Sequence, residues 1–195
     1  DWLDIGAYSS RPGAAEVTPR EEMERLRTGM KALREVAPEI PVSVDTFRAG
    51  VARMAVEELG VDVVNDISGG TLDPDMFAAV AHLRVPYILM HMRGTPSTMQ
   101  TLTEYDDVTA DVITDLQRKL ADLRMAGVAD VIVDPGFGFA KTIGQNYTLM
   151  RELDKFSLLG CPLLVGVSRK SMIYRLTGKT PDESLPGTIA LGAIA

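Results

Sequence analysis

Polar side chains stand at the ends of short apolar runs throughout this sequence. Asp45, Asn65 and Asp134 each end or follow a run rich in valine and isoleucine, and Lys170 comes shortly after another such run. A carboxylate accepts hydrogen bonds, an amide accepts and donates them, and an ammonium group only donates. Together these groups match the edge of a flat nitrogen heterocycle, because a carboxylate can accept from two neighbouring N–H groups while lysine donates to a ring carbonyl.

Basic side chains occur near the same points of the sequence. They are Arg11, Arg93, Lys141 and Arg169. Because the formal net charge is -7, an anionic ligand must be met by local groups such as these. The stretch Ser168-Arg169-Lys170 also places backbone N–H groups where barrels often bind phosphate. The sequence thus predicts a guanine-like or pterin-like ring beside a phosphate or carboxylate group.

These groups can converge only if the apolar runs are parallel strands. The runs alternate with longer segments of helical period, which is typical of repeated βα units in an α/β protein. In such an array the carboxyl ends of all strands emerge on one face. Six units fit either an open doubly wound sheet or part of a closed barrel, and periodicity does not separate the two. The six predicted strands are Trp2–Ile5, Val42–Val44, Val61–Val64, Tyr87–Met90, Val131–Val133 and Leu163–Val167.

The segments between the runs carry helix signals. Thr18 and Glu21 have the spacing of a capping box, with Pro19 at the first helical position. Further helices are predicted over Ala49–Leu59, Asp73–Leu83 and Asp106–Ala126, the last ending before Gly127. The predicted inward positions are Met23, Leu26, Met30, Leu33 and Val36 in the first helix and Val108, Val112, Leu116, Leu120 and Leu123 in the last.

Composition and motifs argue against several classes of protein. A chain of 195 residues with 46% hydrophobic residues is expected to form one domain over residues 1–195. The net negative charge argues against a general nucleic-acid binder, and no apolar run approaches the length of a membrane span. Lys141 takes the third glycine position of a dinucleotide fingerprint. The single cysteine, Cys161, allows no internal disulfide and favours the cytoplasm.

Individual features also have ordinary structural explanations. An Asp after a strand is often a turn or a helix cap, although several together weaken that explanation. His91 has no second His or Cys to complete a metal site or triad, so a packed, hydrogen-bonded side chain is expected. Lys119 is expected to be solvated, and Glu22 to do no more than complement the dipole of the first helix.

Six strings, in order and over nearly the whole chain, resemble the dihydropteroate synthase family. The resemblance implies an eight-stranded (β/α)8 barrel of which this chain supplies about six βα units. It also implies a transferase that joins 4-aminobenzoate to 7,8-dihydropterin-6-ylmethyl diphosphate, releases pyrophosphate in folate synthesis and is a target of sulfonamides. The strings are Asp4-Ile-Gly-Ala-Tyr-Ser-Ser-Arg-Pro-Gly-Ala14, Ser43-Val-Asp-Thr46, Asn65-Asp-Ile-Ser-Gly69, Leu89-Met-His-Met92, Asp134-Pro-Gly-Phe-Gly-Phe139 and Gly166-Val-Ser-Arg-Lys-Ser171.

The same resemblance implies roles for particular residues. The pterin-binding set is Asp45, Asn65, Met90, Asp134, Gly166 and Lys170. The set for 4-aminobenzoate and diphosphate is Ser10, Arg11, Phe139, Ser168 and Arg169. Asp45, Asp134 and Lys170 are the implied catalytic residues, with Lys170 a hydrogen-bond donor and not a Schiff base. A magnesium ion and a homodimer are also implied.

The chain departs from the family pattern in two ways. Tyr8-Ser9-Ser10-Arg11 stands where the usual loop has Glu-Ser-Thr-Arg. The strand whose Asn ligates magnesium, and the last strand with an Arg and a His for diphosphate, do not occur in this sequence. We therefore expect a barrel domain that is incomplete at both ends, exposes two strand edges and binds diphosphate poorly.

Three alternatives stay open at this point. A pterin-binding methyltransferase that serves a corrinoid has similar motifs, but lacks the Ser-Ser-Arg-Pro-Gly and Ser-Arg-Lys-Ser strings. A Schiff-base aldolase would use Lys170 and would be trapped by borohydride. An inactive scaffold would bind a pterin without turnover.

Overall fold

Five parallel strands form the sheet of this protein. The computed structural model describes residues 2–9 and 15–195. Each strand pairs in parallel with the next along the chain, so the spatial order is β1-β2-β3-β4-β5 in the part described. This arrangement confirms the predicted βα repeat. The strands are β1 (Leu3–Gly6), β2 (Val42–Asp45), β3 (Val63–Asp66), β4 (Tyr87–Met90) and β5 (Val131–Asp134).

Helices connect the strands and continue after them. In the described part of the chain the α-helices are α1 (Pro19–Val36), α2 (Ala49–Leu59), α3 (Met76–Leu83), α4 (Val108–Met125), α5 (Ile143–Arg151), α6 (Ser171–Thr177) and α7 (Leu185–Ile194). Short 3₁₀ helices cover Met99–Thr101, Leu153–Leu159 and Asp182–Ser184. None of the described helices is long and apolar enough to cross a membrane.

The sixth predicted strand, Leu163–Val167, is not a strand in the structure. Its contact with β5 is a single parallel bridge between Val133 and Leu163. Two backbone hydrogen bonds, from Val133 N to Pro162 O (2.9 Å) and from Leu164 N to Val133 O (2.8 Å), make this bridge. No described strand pairs with the other edge of this segment.

The helix starts follow the predicted signals with two corrections. Thr18 Oγ1 accepts a hydrogen bond from Glu21 N at 3.3 Å, but Glu21 turns its carboxylate to Arg25 Nη2 at 2.6 Å, so only half of the capping box forms. The helix predicted from Asp73 begins at Met76. Asp73 instead accepts from Ala49 N at 2.7 Å, across to the first residue of α2.

The core lies between the sheet and its helices. All five predicted inward residues of α4 are buried, at 7% exposure or less. In α1, Leu26 and Met30 are buried, whereas Val36 is 81% exposed. Met30, Leu33 and Val36 are spaced three residues apart, which is less than the roughly 3.6 residues of a helical turn. Val36 therefore lies about a quarter turn away from the buried face of α1. A second, smaller cluster lies at the strand ends and consists of Ile67, Met90, Met92, Met99 and Ala140, with Phe47, Leu72 and Phe139 against it.

Candidate active site

Four of the predicted site residues, Asp45, Asn65, Met90 and Asp134, lie at the carboxyl ends of described strands. Asp45 ends β2 and lies opposite Asn65 of β3. Asp134 ends β5 and lies opposite Met90 of β4. Because all of the strands are parallel, these side chains share one edge of the sheet.

Asp45 is the least compensated carboxylate of the group. Burial, followed by the charges of Asp4, Asp66 and Glu22, raises the pKa of its carboxyl to about 7. No described residue donates a hydrogen bond to it. A neutral or cationic N–H donor placed here would favour the ionised form, because hydrogen bonds and positive charge both stabilise a carboxylate. The position is therefore suited to a ligand with an N–H edge.

Asn65 is oriented by a residue from the first strand. Its Nδ2 donates to Asp4 Oδ2 at 3.2 Å, and the other oxygen of Asp4 accepts from Ser43 Oγ at 2.5 Å. Because the amide nitrogen is used in this way, the orientation of the Asn65 carbonyl oxygen is fixed. Neither Asp4 nor Ser43 was among the predicted site residues, since nothing local in the sequence joins strands that are 61 residues apart.

Asp134 is buried, with one oxygen held by its own loop. Gly136 N donates to Asp134 Oδ1 at 2.7 Å. Burial raises the pKa of the Asp134 carboxyl, and Lys170, the Gly136 hydrogen bond and Lys141 act in the opposite direction. No described residue donates to Asp134 Oδ2, which leaves that oxygen for a ligand. Only glycine fits at 136, where φ is +71° and a Cβ would lie 2.0 Å from His91 O.

Lys170 is the last member of the group and lies directly before the first residue of α6. Its Nζ donates to Phe137 O at 2.5 Å and lies 5.1 Å from the centre of the Phe139 ring. A Cβ added to Gly166 would lie 3.5 Å from the same Nζ. Burial lowers the pKa of the Lys170 ammonium, and the charge of Asp134 works against that effect. The structure thus brings Phe139, Gly166 and Lys170 together, as predicted.

The basic residues predicted to hold an anion are largely engaged by protein groups. Arg93 Nη1 donates to Glu104 O, and its guanidinium lies 3.7 Å from the centre of the Tyr105 ring. Arg169 Nη1 pairs with Asp182 at 3.0 Å. Lys141 is buried and has three protein acceptors. Ser168 is exposed, and Ser10 and Arg11 lie outside the described residues.

Tyr8, the departure from the family loop, packs near the site. Its ring meets Phe47 edge to face at 5.0 Å, and the Arg48 guanidinium lies 5.2 Å from the centre of the Tyr8 ring. An aromatic contact and a cation–π contact therefore hold the position where the family pattern has a carboxylate.

Two residues that were expected to have no tertiary role, Lys119 as a solvated group and Glu22 as a complement to the helix dipole, are buried. Glu22 is fully buried and accepts from Thr46 Oγ1 at 2.7 Å and from Arg48 Nη1. Lys119 is 3% exposed, with its Nζ 2.8 Å from Asp115. The expectation for both was wrong. The signal was present in the spacing, because Glu22 lies four residues before Leu26 and Lys119 lies three after Leu116, each on the buried face.

Asp66, next to Asn65, has a structural role, because protein groups occupy its carboxylate. Its carboxylate accepts from Ser68 N at 2.7 Å, Gly70 N at 2.8 Å and the Tyr87 hydroxyl at 2.7 Å. His91, for which we expected a packed, hydrogen-bonded side chain without a catalytic role, is buried and hydrogen bonded to Lys141. Across residues 2–9 and 15–195, no three His, Cys, Asp or Glu side chains are grouped so as to hold a metal ion.

Comparisons with known proteins show the family of this chain. The family model described as pterin binding enzyme matches residues 1–195. The chain is 47% identical over 189 residues to a dihydropteroate synthase of Synechocystis, covering 95% of this chain and 65% of that protein.

Solved structures give the same result for the fold. A Yersinia pestis dihydropteroate synthase in a sulfonamide drug complex superposes with a TM-score of 0.92 at 38% identity, covering 99% of this chain and 70% of that one. A Thermus thermophilus dihydropteroate synthase in complex with 4-aminobenzoate has a TM-score of 0.89 at 38% identity, covering 100% and 74%. The fold is thus that of the synthase barrel. The chain spans about two thirds of the length of these relatives. The chain belongs to the pterin binding enzymes, in the dihydropteroate synthase family.

Proposed function

We propose that this chain carries the pterin site of a dihydropteroate synthase. The enzyme joins 4-aminobenzoate to 7,8-dihydropterin-6-ylmethyl diphosphate and releases pyrophosphate. The observation that carries the proposal is the group at the strand ends, in which Asp45 and Asp134 have oxygens that no described residue engages, beside Asn65 and Lys170. Membership of the family supports the same assignment.

The pterin would bind through its alternating donors and acceptors. Asp134 Oδ2 and the carbonyl oxygen of Asn65 would accept from the amidine-like edge of the ring, and Lys170 would donate to the ring carbonyl. Asp45 would accept from a further ring N–H group. Met90, 4% exposed, would pack against the ring face.

The aminobenzoate would lie on the side of Phe139 and Ser168. The Phe139 ring already stands beside Lys170, so the two substrates would share this boundary. Ser10, Arg11, Ser168 and Arg169 are proposed to meet the carboxylate and diphosphate groups. For this, Arg169 would have to exchange its partner Asp182 for the ligand. The free-energy cost of that exchange is small, because exposed ion pairs contribute little to stability.

The reaction would proceed by loss of diphosphate before or during attack by the amine. The bond between the methylene carbon and the diphosphate oxygen breaks, and its electron pair leaves with pyrophosphate. The methylene carbon, conjugated with the ring, becomes cation-like. The aminobenzoate nitrogen attacks that carbon and then loses one proton. Asp45 and Asp134, as carboxylates beside the ring, stabilise the developing positive charge.

The test is release of pyrophosphate from dihydropterin diphosphate by this chain and by the full-length Synechocystis relative. The proposal expects release from both that depends on 4-aminobenzoate and is inhibited by a sulfonamide. Release that does not depend on 4-aminobenzoate would contradict it. Trapping of Lys170 by borohydride would indicate an aldolase, and transfer of a methyl group from methyltetrahydrofolate would indicate the methyltransferase.

Magnesium is proposed as an aid to diphosphate departure, and no step above passes through the metal. Among the described residues, no three His, Cys, Asp or Glu side chains are grouped so as to hold it. The measurement is the pyrophosphate assay after chelation and after stepwise return of magnesium. Recovery of activity with magnesium would support the proposal, and full activity after chelation would contradict it.

We also propose a homodimer that works in the cytoplasm. Apolar side chains exposed on the last two helices support the dimer, namely Leu176 at 62%, Ile189 at 63% and Ile194 at 67%. The single cysteine supports a reducing compartment. Sedimentation velocity of the wild type and of an Ile189→Glu variant would test the dimer. Cell fractionation would test the compartment.

A further inference from the structure

We infer that Lys141 is a positioning residue for this site. Its buried ammonium group joins the loop between β5 and α5 to His91 at the end of β4 and so sets the orientation of Asp134 and Phe139. What those two residues bind rests on the proposed function, but the positioning itself rests on contacts within the protein.

Each of the three N–H donors of the Lys141 ammonium group has an acceptor within the protein. Nζ lies 3.0 Å from each of three acceptors, namely Gly136 O, Phe139 O and His91 Nδ1. The residue is 4% exposed. Burial lowers the pKa of Lys141 to about 7. When Lys141 is charged, its three hydrogens and lack of an acceptor make His91 Nδ1 the acceptor and place the ring proton on Nε2. Burial and the charge of Lys141 lower the pKa of His91, which keeps the ring neutral.

The contact with Gly136 leads directly to Asp134. The carbonyl of Gly136 accepts from Lys141, and its N–H donates to Asp134 Oδ1 at 2.7 Å. His91 N in turn donates to Asp134 O at 3.0 Å. Movement of Gly136 would therefore move the hydrogen bond that turns the second Asp134 oxygen toward the ligand.

The contact with Phe139 fixes the other end of the loop. Ala140, between Phe139 and Lys141, is fully buried and has a φ of +49°. That left-handed conformation is disfavoured for alanine and persists only where neighbours hold it. Lys141 holds the carbonyl before it, and the Tyr105 hydroxyl holds the Ala140 carbonyl at 2.9 Å. The loop is thus kept in the conformation that brings the Phe139 ring to Lys170.

The test compares Lys141→Met with Lys119→Met. Both remove a buried ammonium group, but Lys119 pairs with Asp115 on its own helix. It acts on His91 and Lys141 through its charge, which lowers the pKa of each, and it makes no described hydrogen bond to residues 136–141. We expect Lys141→Met to raise the amide hydrogen exchange rates of residues 136–139 by about tenfold or more. We expect its Kd for 6-hydroxymethylpterin to rise by about 10- to 100-fold, as when other supporting partners of a site are lost. Lys119→Met should leave both quantities near their wild-type values.

A pair of variants at His91 keeps the test sharp if Lys141→Met fails to fold. His91→Gln retains an acceptor for Lys141, so its Kd for the pterin should stay within a few-fold of the wild-type value. His91→Phe removes the acceptor and should behave as Lys141→Met. A role limited to general stability would not produce this difference.

The inference is overturned if exchange in residues 136–139 is unchanged in folded Lys141→Met and His91→Phe, or if Lys119→Met changes it equally. If the wild-type chain does not bind the pterin, while the loop responds as expected, the proposed function fails and the role of Lys141 stands.

Discussion

At the scale of single residues, Asp45 is held in a state that costs stability. Its carboxyl pKa is raised from 3.8 to about 7 by burial and by three neighbouring acidic groups. The folded protein therefore binds this proton more tightly than the unfolded chain does. Well below pH 4 the carboxyl is protonated in both the folded and the unfolded state, and there is no penalty. As the pH rises from about 4 to about 7, the unfolded chain ionises first, and stability falls.

Asp45→Asn is therefore expected to stabilise the free protein at pH 8 by about 2 kcal/mol, because it removes a buried, poorly compensated charge. Near pH 4.5 the difference should be much smaller, since Asp45 is protonated in the folded state. Urea unfolding of both proteins at the two pH values measures this. The same variant should lose pterin affinity. Equal effects on stability at both pH values would contradict the pKa assignment.

At the scale of elements, the strand ends could be predicted and their supporting contacts could not. Alternation of apolar runs with helical segments located β1 to β5 and hence Asp45, Asn65 and Asp134. The partner of Asn65, Asp4, is 61 residues away, and such contacts depend on the tertiary fold. The sixth predicted strand was wrong, because its apolar run forms only a single bridge with β5 in the described structure.

Glu22 illustrates a tertiary contact that overrides a local explanation. Its carboxylate ties α1 to Thr46 and Arg48, just after Asp45. Glu22→Ala should lower the free energy of unfolding by about 3 kcal/mol, because Arg48 would lose its buried partner. Glu24→Ala, on the exposed face of the same helix, should change it by less than about 1 kcal/mol. Chemical denaturation of the two variants is the measurement, and equal losses would show that Glu22 acts only through the helix dipole.

Gly136 shows how closely the β5 loop approaches β4. Gly136→Ala should destabilise the protein by about 3 kcal/mol or more, since φ is +71° and the new Cβ would lie 2.0 Å from His91 O. Gly127→Ala is a matched control, with a φ of +92° and no atom within 4 Å. It should cost only about 1 kcal/mol. Thermal unfolding would separate the two, and similar losses would mean that the loop moves away from His91 easily.

At the scale of the whole molecule, this chain supplies the proposed pterin side of the site more completely than the proposed diphosphate side. The strand ends supply Asp45, Asn65, Asp134 and Lys170, whereas the described basic groups Arg93, Lys141 and Arg169 have protein partners. The chain spans about two thirds of the length of its relatives. We therefore expect pterin binding to persist in this chain, and turnover to be slower than in a full-length relative.

The most direct test is calorimetric titration of this chain with 6-hydroxymethylpterin, comparing the wild type with Asp134→Asn. The account predicts saturable binding by the wild type and a Kd at least about tenfold higher in the variant, because an amide in place of the carboxylate puts a donor against the ring N–H groups. Absence of binding by the folded wild-type chain, or equal affinity in the two proteins, would contradict a pterin site at these strand ends.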